Sequence, residues 1–139
     1  MSTTKPFTNL SFDHVHYRSS DFDKTKNFYI TIMGGIELNP EILLKKPNLQ
    51  IELAGVTLLF AQAGDDHAPP IPAKKRLGVY HIAFLVDDCD AATKYYRKKG
   101  AKVAIKPFMA AKNIKASFLY APDGMWVELK EIVTKKDRS

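Results

Sequence analysis

Cysteine is nearly absent from this 139-residue chain, which carries Cys89 alone. One thiol cannot close an intrachain disulfide, so the disulfide-scaffold class is excluded and a reducing compartment is the simpler setting. Long apolar runs are lacking too. The opening MSTTKPFTNLSF has no apolar core of signal-peptide length, and no later stretch approaches the ~20 apolar residues that a bilayer-crossing helix needs. These absences predict a cytoplasmic protein without a membrane partner. A nucleic-acid reader's signature is missing as well. The formal net charge is +6, from 21 basic and 15 acidic residues, but the clusters YYRKKGAK, KPFMAAKNIK and KEIVTKKDRS have no interleaved aromatics or reader motif. They read as solvated surface on a helix end, a loop and a terminus, with steering of an anionic small molecule as the lesser use. What is present is the balance of a soluble globular protein, 45% hydrophobic and 26% charged, in a length that suits one domain with its own core.

The chain repeats itself. HVHYRSSDFDKTKNFY, from His14, overlies HIAFLVDDCDAATKYY, from His81, at a constant spacing of 67. His14 falls on His81, Tyr17 on Phe84, Asp21 on Asp88 and Asp23 on Asp90. Each copy alternates as a strand does and then turns helical. Ser20 or Asp88 is placed to cap the helix, with Asp21, Asp23 or Asp90 near its positive end. Gly34 and Gly35 close the first helix and Gly100 the second. Segments rich in Val, Ile and Leu follow: IEL and LQIELAGVTLLFAQ in one half, AKVAI and KASFLYAPDGMWVELKEI in the other. The expectation is an α+β fold of two βαβββ repeats, the first over about 10–63 and the second over about 78–133. GDDHAPPIPAKK, within 64–77, is expected to be a linker with few contacts, and 134–139 a basic tail.

A helix covers one face of each sheet, and the curved sheets turn their other faces toward a shared cavity. That cavity closes either within one chain or between exchanged halves of the expected homodimer. Strand parity assigns the residues. Val15 and Tyr17, like Ile82, Phe84 and Val86, form the apolar set that suits the helix side. His14, His16 and Arg18 then face the cavity from one half, with His81 and Ala83 from the other. In the last strand Met125, Val127 and Leu129 are the apolar set, which leaves Trp126, Glu128 and Lys130 on the cavity face. A carboxylate among aromatics needs a partner. Two imidazoles with it would make a three-ligand set with open positions, suited to ferrous iron and open to manganese, cobalt, nickel or zinc.

At these residues the chain resembles the vicinal oxygen chelate superfamily, which includes glyoxalase I, methylmalonyl-CoA epimerase, extradiol dioxygenases, and fosfomycin and bleomycin resistance proteins. DHVHYRSSDFDKTKNFY is similar to the first strand and helix of those proteins, YHIAFLVDDCDAATKYYRKKGAKV to their second, and YAPDGMWVEL to their closing turn and ligand strand. The resemblance implies His14, His81 and Glu128 as metal ligands. It also implies a fourth place on the fourth strand, where Leu59 or Leu58 stands instead of Glu or Gln. That departure weakens a glyoxalase or epimerase activity and leaves the two-His-one-Glu set of extradiol dioxygenases. The second-shell tyrosine of those enzymes falls on Phe118, with Tyr120 as a substitute if it shares the strand face.

Other residues have a functional and a plain reading side by side. His16 is an acid/base or orienting group, or a satisfied structural histidine. Arg18 clamps a substrate carboxylate or phosphate, or is hydrated at a strand end. Gln50, Glu52 or Gln62 supplies a fourth ligand if the register differs. Phe118, Tyr120 and Trp126 shape a pocket for a planar ligand, or are core. His67 lies exposed in the linker, and Cys89 has no assigned role. The leading expectation is a metal-dependent enzyme acting on a small oxygen-rich substrate, with dioxygenase or lyase/isomerase chemistry. His14, His81 and Glu128 then hold the metal, His16 or Tyr120 handles a proton, and Arg18, Phe118 and Trp126 hold the substrate. The competing expectation is a metal-free drug-binding protein of the bleomycin-resistance type.

Overall fold

A computed structural model of the chain describes residues 4–38 and 48–134, so most of the expected basic tail, 135–139, lies outside the described residues. Two four-stranded mixed sheets are present, built in the same order. In the first, β1 (His14–Ser19) runs parallel to β4 (Val56–Gln62), which is followed across the sheet by β3 (Asn48–Leu53) and β2 (Ile36–Leu38), each antiparallel to its neighbour. The second repeats this with β5 (His81–Leu85), β8 (Trp126–Ile132), β7 (Ile114–Tyr120) and β6 (Val103–Ala111). Each parallel pair needs a crossover, and the helical segment after the first strand begins it. That segment is α1 (Phe22–Lys26) running on into a π-helical stretch, Asn27–Ile32, in the first half, and α2 (Cys89–Lys98) in the second. Among the described residues no helix is long and apolar enough to cross a membrane.

The helix caps fall at matched positions of the repeat. Asp21 caps α1, its carboxylate accepting from the amides of Asp23 and Lys24, and Asp88 caps α2 by accepting from Ala91. These are matched positions, so Ser20 is corrected from cap to a different role. Its amide and hydroxyl donate to the Asp123 carboxylate, 103 residues away, and tie the end of β1 to the second half. At the helix ends Gly34 and Gly100 have φ of +86° and +114°, conformations that side chains with a Cβ resist. Gly35 is needed for a different reason: a Cβ there would sit 2.6 Å from the Tyr29 carbonyl oxygen and 2.7 Å from Ile51 Cγ2.

Period-two alternation decides what is buried. Val15 pairs with Leu58 and that with Ile51, while Ile82 pairs with Val127 and that with Leu119. Leu58, Ile51, Val127 and Leu119 are wholly buried, each stabilising by roughly 1.5–3 kcal/mol relative to exposure. One contiguous core joins the helix-covered faces of both sheets, through Phe28, Tyr29 and Ile32 of the π-helical stretch and Cys89 of α2. The segment 64–77 is exposed over most of its length and meets the rest of the fold at particular points. Ala73 is buried, and the backbone of Ile71 lies so close to Gly124 that a Cβ there would stand 2.5 Å from the Ile71 carbonyl oxygen.

Candidate functional site

The uncovered face of the second sheet holds a histidine, a carboxylate and three aromatic rings. Register places them together: His81 pairs with Trp126 and that with Tyr120, while Ala83 pairs with Glu128 and that with Phe118. Glu128 is therefore diagonal to His81 on one face. The His81 Nε2 atom lies 3.1 Å from Glu128 Oε2, and their side chains keep 24% and 15% of their exposure. The His81 ring is packed edge-on between Tyr80, with centroids 4.6 Å apart, and Phe118 at 5.2 Å. Its Nδ1 is buried and has no hydrogen-bond partner among the described residues, so aromatic packing and the Glu128 carboxylate at Nε2 orient this ring. Trp126 stands 5.3 Å from Phe118 and 6.3 Å from Tyr120, centroid to centroid. Tyr120 shares the face of Phe118 and is half exposed.

The first sheet presents the matching face. His14, His16 and Arg18 are exposed on it. Rings of His14 and His16 stand 6.0 Å apart, and His14 Nδ1 is 2.7 Å from the Asp13 carboxylate. His14 pairs with Thr57 and that with Glu52, while His16 pairs with Leu59 and that with Gln50. The two sheets share this register, so Leu59 occupies the place that Glu128 holds in the second sheet, and Leu58 points into the core. Gln50 and Glu52 lie on the His14 face. Gln62 does not, pairing with Ser19 and giving its side-chain amide to the Ser20 carbonyl.

Within one chain, then, His81 and Glu128 meet, whereas His14 and His16 sit together on the other sheet. Among the described residues no group of three or more His, Cys, Asp or Glu side chains is placed to hold a metal ion. The His81 and Glu128 pair does fit part of a metal site, since two donors about 2.1 Å from an ion at right angles stand about 3.0 Å apart. Cys89 is buried, with its sulfur 3.5 Å from Ser117 Oγ and from the Leu129 carbonyl. Neither Arg76, at the end of segment 64–77, nor Asp123, in the turn before β8, is among the candidate residues read from the sequence. The only signal for Asp123 was the Asp-Gly pair, which here has φ of +61° and +80° and aims the carboxylate back at Ser20.

Paired βαβββ sheets with an uncovered polar face and a histidine at the start of each repeat define a glyoxalase- and dioxygenase-like fold. The chain belongs to the Glyoxalase/Bleomycin resistance protein/Dioxygenase superfamily, whose family profile matches residues 13–120. It is 28% identical over 126 residues to the uncharacterized protein YaeR of Escherichia coli K12, covering 85% of this chain and 93% of that one. Among solved structures it is similar to a glyoxalase/dioxygenase from Nostoc punctiforme, with a TM-score of 0.73 and 22% identity over 96% of this chain and 98% of the other. It is also similar to the genomically encoded fosfomycin resistance protein FosX of Listeria monocytogenes, with a TM-score of 0.69 and 18% identity over 95% and 100% of the two chains. At those identities the structures bear on the fold alone.

Proposed function

We propose that this chain is a metal-dependent enzyme of its superfamily that acts on a small molecule bearing neighbouring oxygens, with dioxygenase-like chemistry. The observation that carries this reading is the 3.1 Å approach of His81 Nε2 to Glu128 Oε2 inside a ring of aromatics. His14 completes the ligand set from the matching face of a second copy, so the working form is a homodimer with shared sites. The same face in a single chain is open, and an exposed histidine beside two more polar side chains is poorly explained as structural. A divalent ion, iron(II) first and manganese, nickel, cobalt or zinc otherwise, would supply a Lewis-acidic centre for two adjacent substrate oxygens.

The chain's own residues do the rest. Phe118 and Trp126 bound a planar substrate on its apolar side, and Arg18 pairs with an anionic group on it. Tyr120, half exposed, and His16, exposed, exchange a proton with the substrate oxygens. Leucine at position 59 supports the two-His-one-Glu set over the four-ligand set of a lyase or isomerase. The separated His14 favours one second reading, a metal-free protein that binds a planar drug against Phe118, Tyr120 and Trp126. Anaerobic loading with iron(II), followed by elemental analysis and oxygen uptake over a catechol panel, tests the proposal. Metal at about one ion per chain with oxygen uptake supports it. Uptake of no metal, with planar-ligand binding unaffected by His81→Ala, transfers the chain to the second reading.

A further inference from the structure

A cavity of about 360 Å³ lies between β1 and the residues around Asp123, lined from both faces of that strand by Val15, Tyr17, His16 and Arg18; neither His81 nor Glu128 lines it. Two polar atoms in its lining residues are buried without a hydrogen-bond partner among the described residues: the Tyr17 hydroxyl and the Arg76 Nε. Leaving such groups unmatched is costly, and native structures rarely do so twice in one place without a ligand to meet them. Arg76 can only donate, through a planar fork that matches the two oxygens of a carboxylate or phosphate, and the phenol can donate beside it.

The surrounding charges agree. Arg18 and Arg76 line the cavity, as does Asp123, whose carboxylate already accepts from the Ser20 amide and hydroxyl. With His16 neutral, the lining carries one net positive charge. Phe60, Val79 and Met125 form an apolar wall. An adjoining cavity of about 630 Å³ beneath the linker shares Arg18, Arg76 and Asp123, adds Lys75, and offers a basic approach to the first. Burial pushes the Tyr17 pKa up to about 12 while the Arg76 guanidinium pulls it back, which places the two groups within electrostatic reach.

We propose that this cavity binds a small monoanion, a carboxylate or phosphate group on an apolar body, with the Arg76 guanidinium and the Tyr17 hydroxyl donating to its oxygens. The site's donors, Arg76 and Tyr17, have no part in the metal proposal, although His16 and Arg18, which that proposal uses, also line the cavity. The test is calorimetric titration of EDTA-treated protein with benzoate and, separately, with inorganic phosphate, against chloride at equal ionic strength. Saturable binding of either probe is expected, benzoate marking a carboxylate site and phosphate a phosphate site. Arg76→Met should weaken it about tenfold or more, the loss of a charge-assisted pair. Tyr17→Phe, which keeps the ring packing, should weaken it by a smaller factor, and Arg76→Lys should restore it in part. Absence of binding beyond the chloride control, or unchanged affinity in both Arg76→Met and Tyr17→Phe, overturns the proposal. Should Arg76→Met fail to fold, Tyr17→Phe and Arg76→Lys decide. Because no metal is present, failure here leaves the metal reading standing, and failure of that reading leaves this one.

Discussion

Two variants that each destroy the proposed metal site should restore it when combined, because they damage different copies. His14→Ala removes the ligand on the first sheet, and Glu128→Gln removes the carboxylate on the second. If a site takes His14 from one copy and His81 with Glu128 from the other, neither variant alone has a complete set. A heterodimer of the two has one intact site and one doubly broken site. Random pairing after co-refolding in equal amounts makes half the dimers mixed, so metal content should recover to about a quarter of wild type. A site confined within one chain would recover nothing.

The thermal consequence follows from linkage. With metal at 100 times its dissociation constant the folded state gains about 2.7 kcal/mol, which for a chain of this size raises Tm by about 8–11 °C. Loss of one ligand should weaken binding by at least about a hundredfold, which leaves about 0.4 kcal/mol and a shift of 1–2 °C. Scanning calorimetry and elemental analysis on the two variants and their co-refolded mixture check this. A mixture that binds no more metal than its components refutes the shared site. A His14→Ala protein that keeps its full metal-dependent shift removes His14 from the ligand set.

Gly35→Ala should cost about 1–3 kcal/mol, since the new methyl would lie 2.6 Å from the Tyr29 carbonyl oxygen and 2.7 Å from Ile51 Cγ2, both held in the core. Urea unfolding should show a lower midpoint at an unchanged slope, and an unchanged midpoint would mean that the π-helical stretch yields freely. Alkali should weaken the fold through Tyr17. Its pKa is raised from 10.0 to about 12 in the folded chain, so its contribution is fully present below pH 10 and is lost as pH climbs through 12. Stability measured over that window should fall in wild type more steeply than in Tyr17→Phe, and equal slopes would count against the burial that raises it.

The placement of residues on faces was legible from the chain because side chains in a strand alternate with a period of two. That rule put His14, His16 and Arg18 on one face, and Trp126 with Glu128 on another, without any knowledge of neighbours. The repeat at 67 spacing carried the order of elements, and it marked Asp21 and Asp88 as equivalent even where Ser20 looked the better cap. The sequence could not separate Leu58 from Leu59 at the fourth place, since a one-residue slip changes the face and only the pairing of β1 with β4 settles the register.

The sequence by itself determined the two βαβββ halves and the face each polar residue takes, because hydrophobic periodicity and caps are local and survive without tertiary information. Only the tertiary structure decided which of those residues meet. Parallel pairing of β5 with β8 brings His81 to Glu128 from 47 positions away, and the packing of the halves leaves His14 on a separate open face. It also drew Arg76 and Asp123 out of a linker and a turn to the rim of one cavity. Distances between residues remote along a chain depend on how sheets pack, and no spacing along the sequence encodes that.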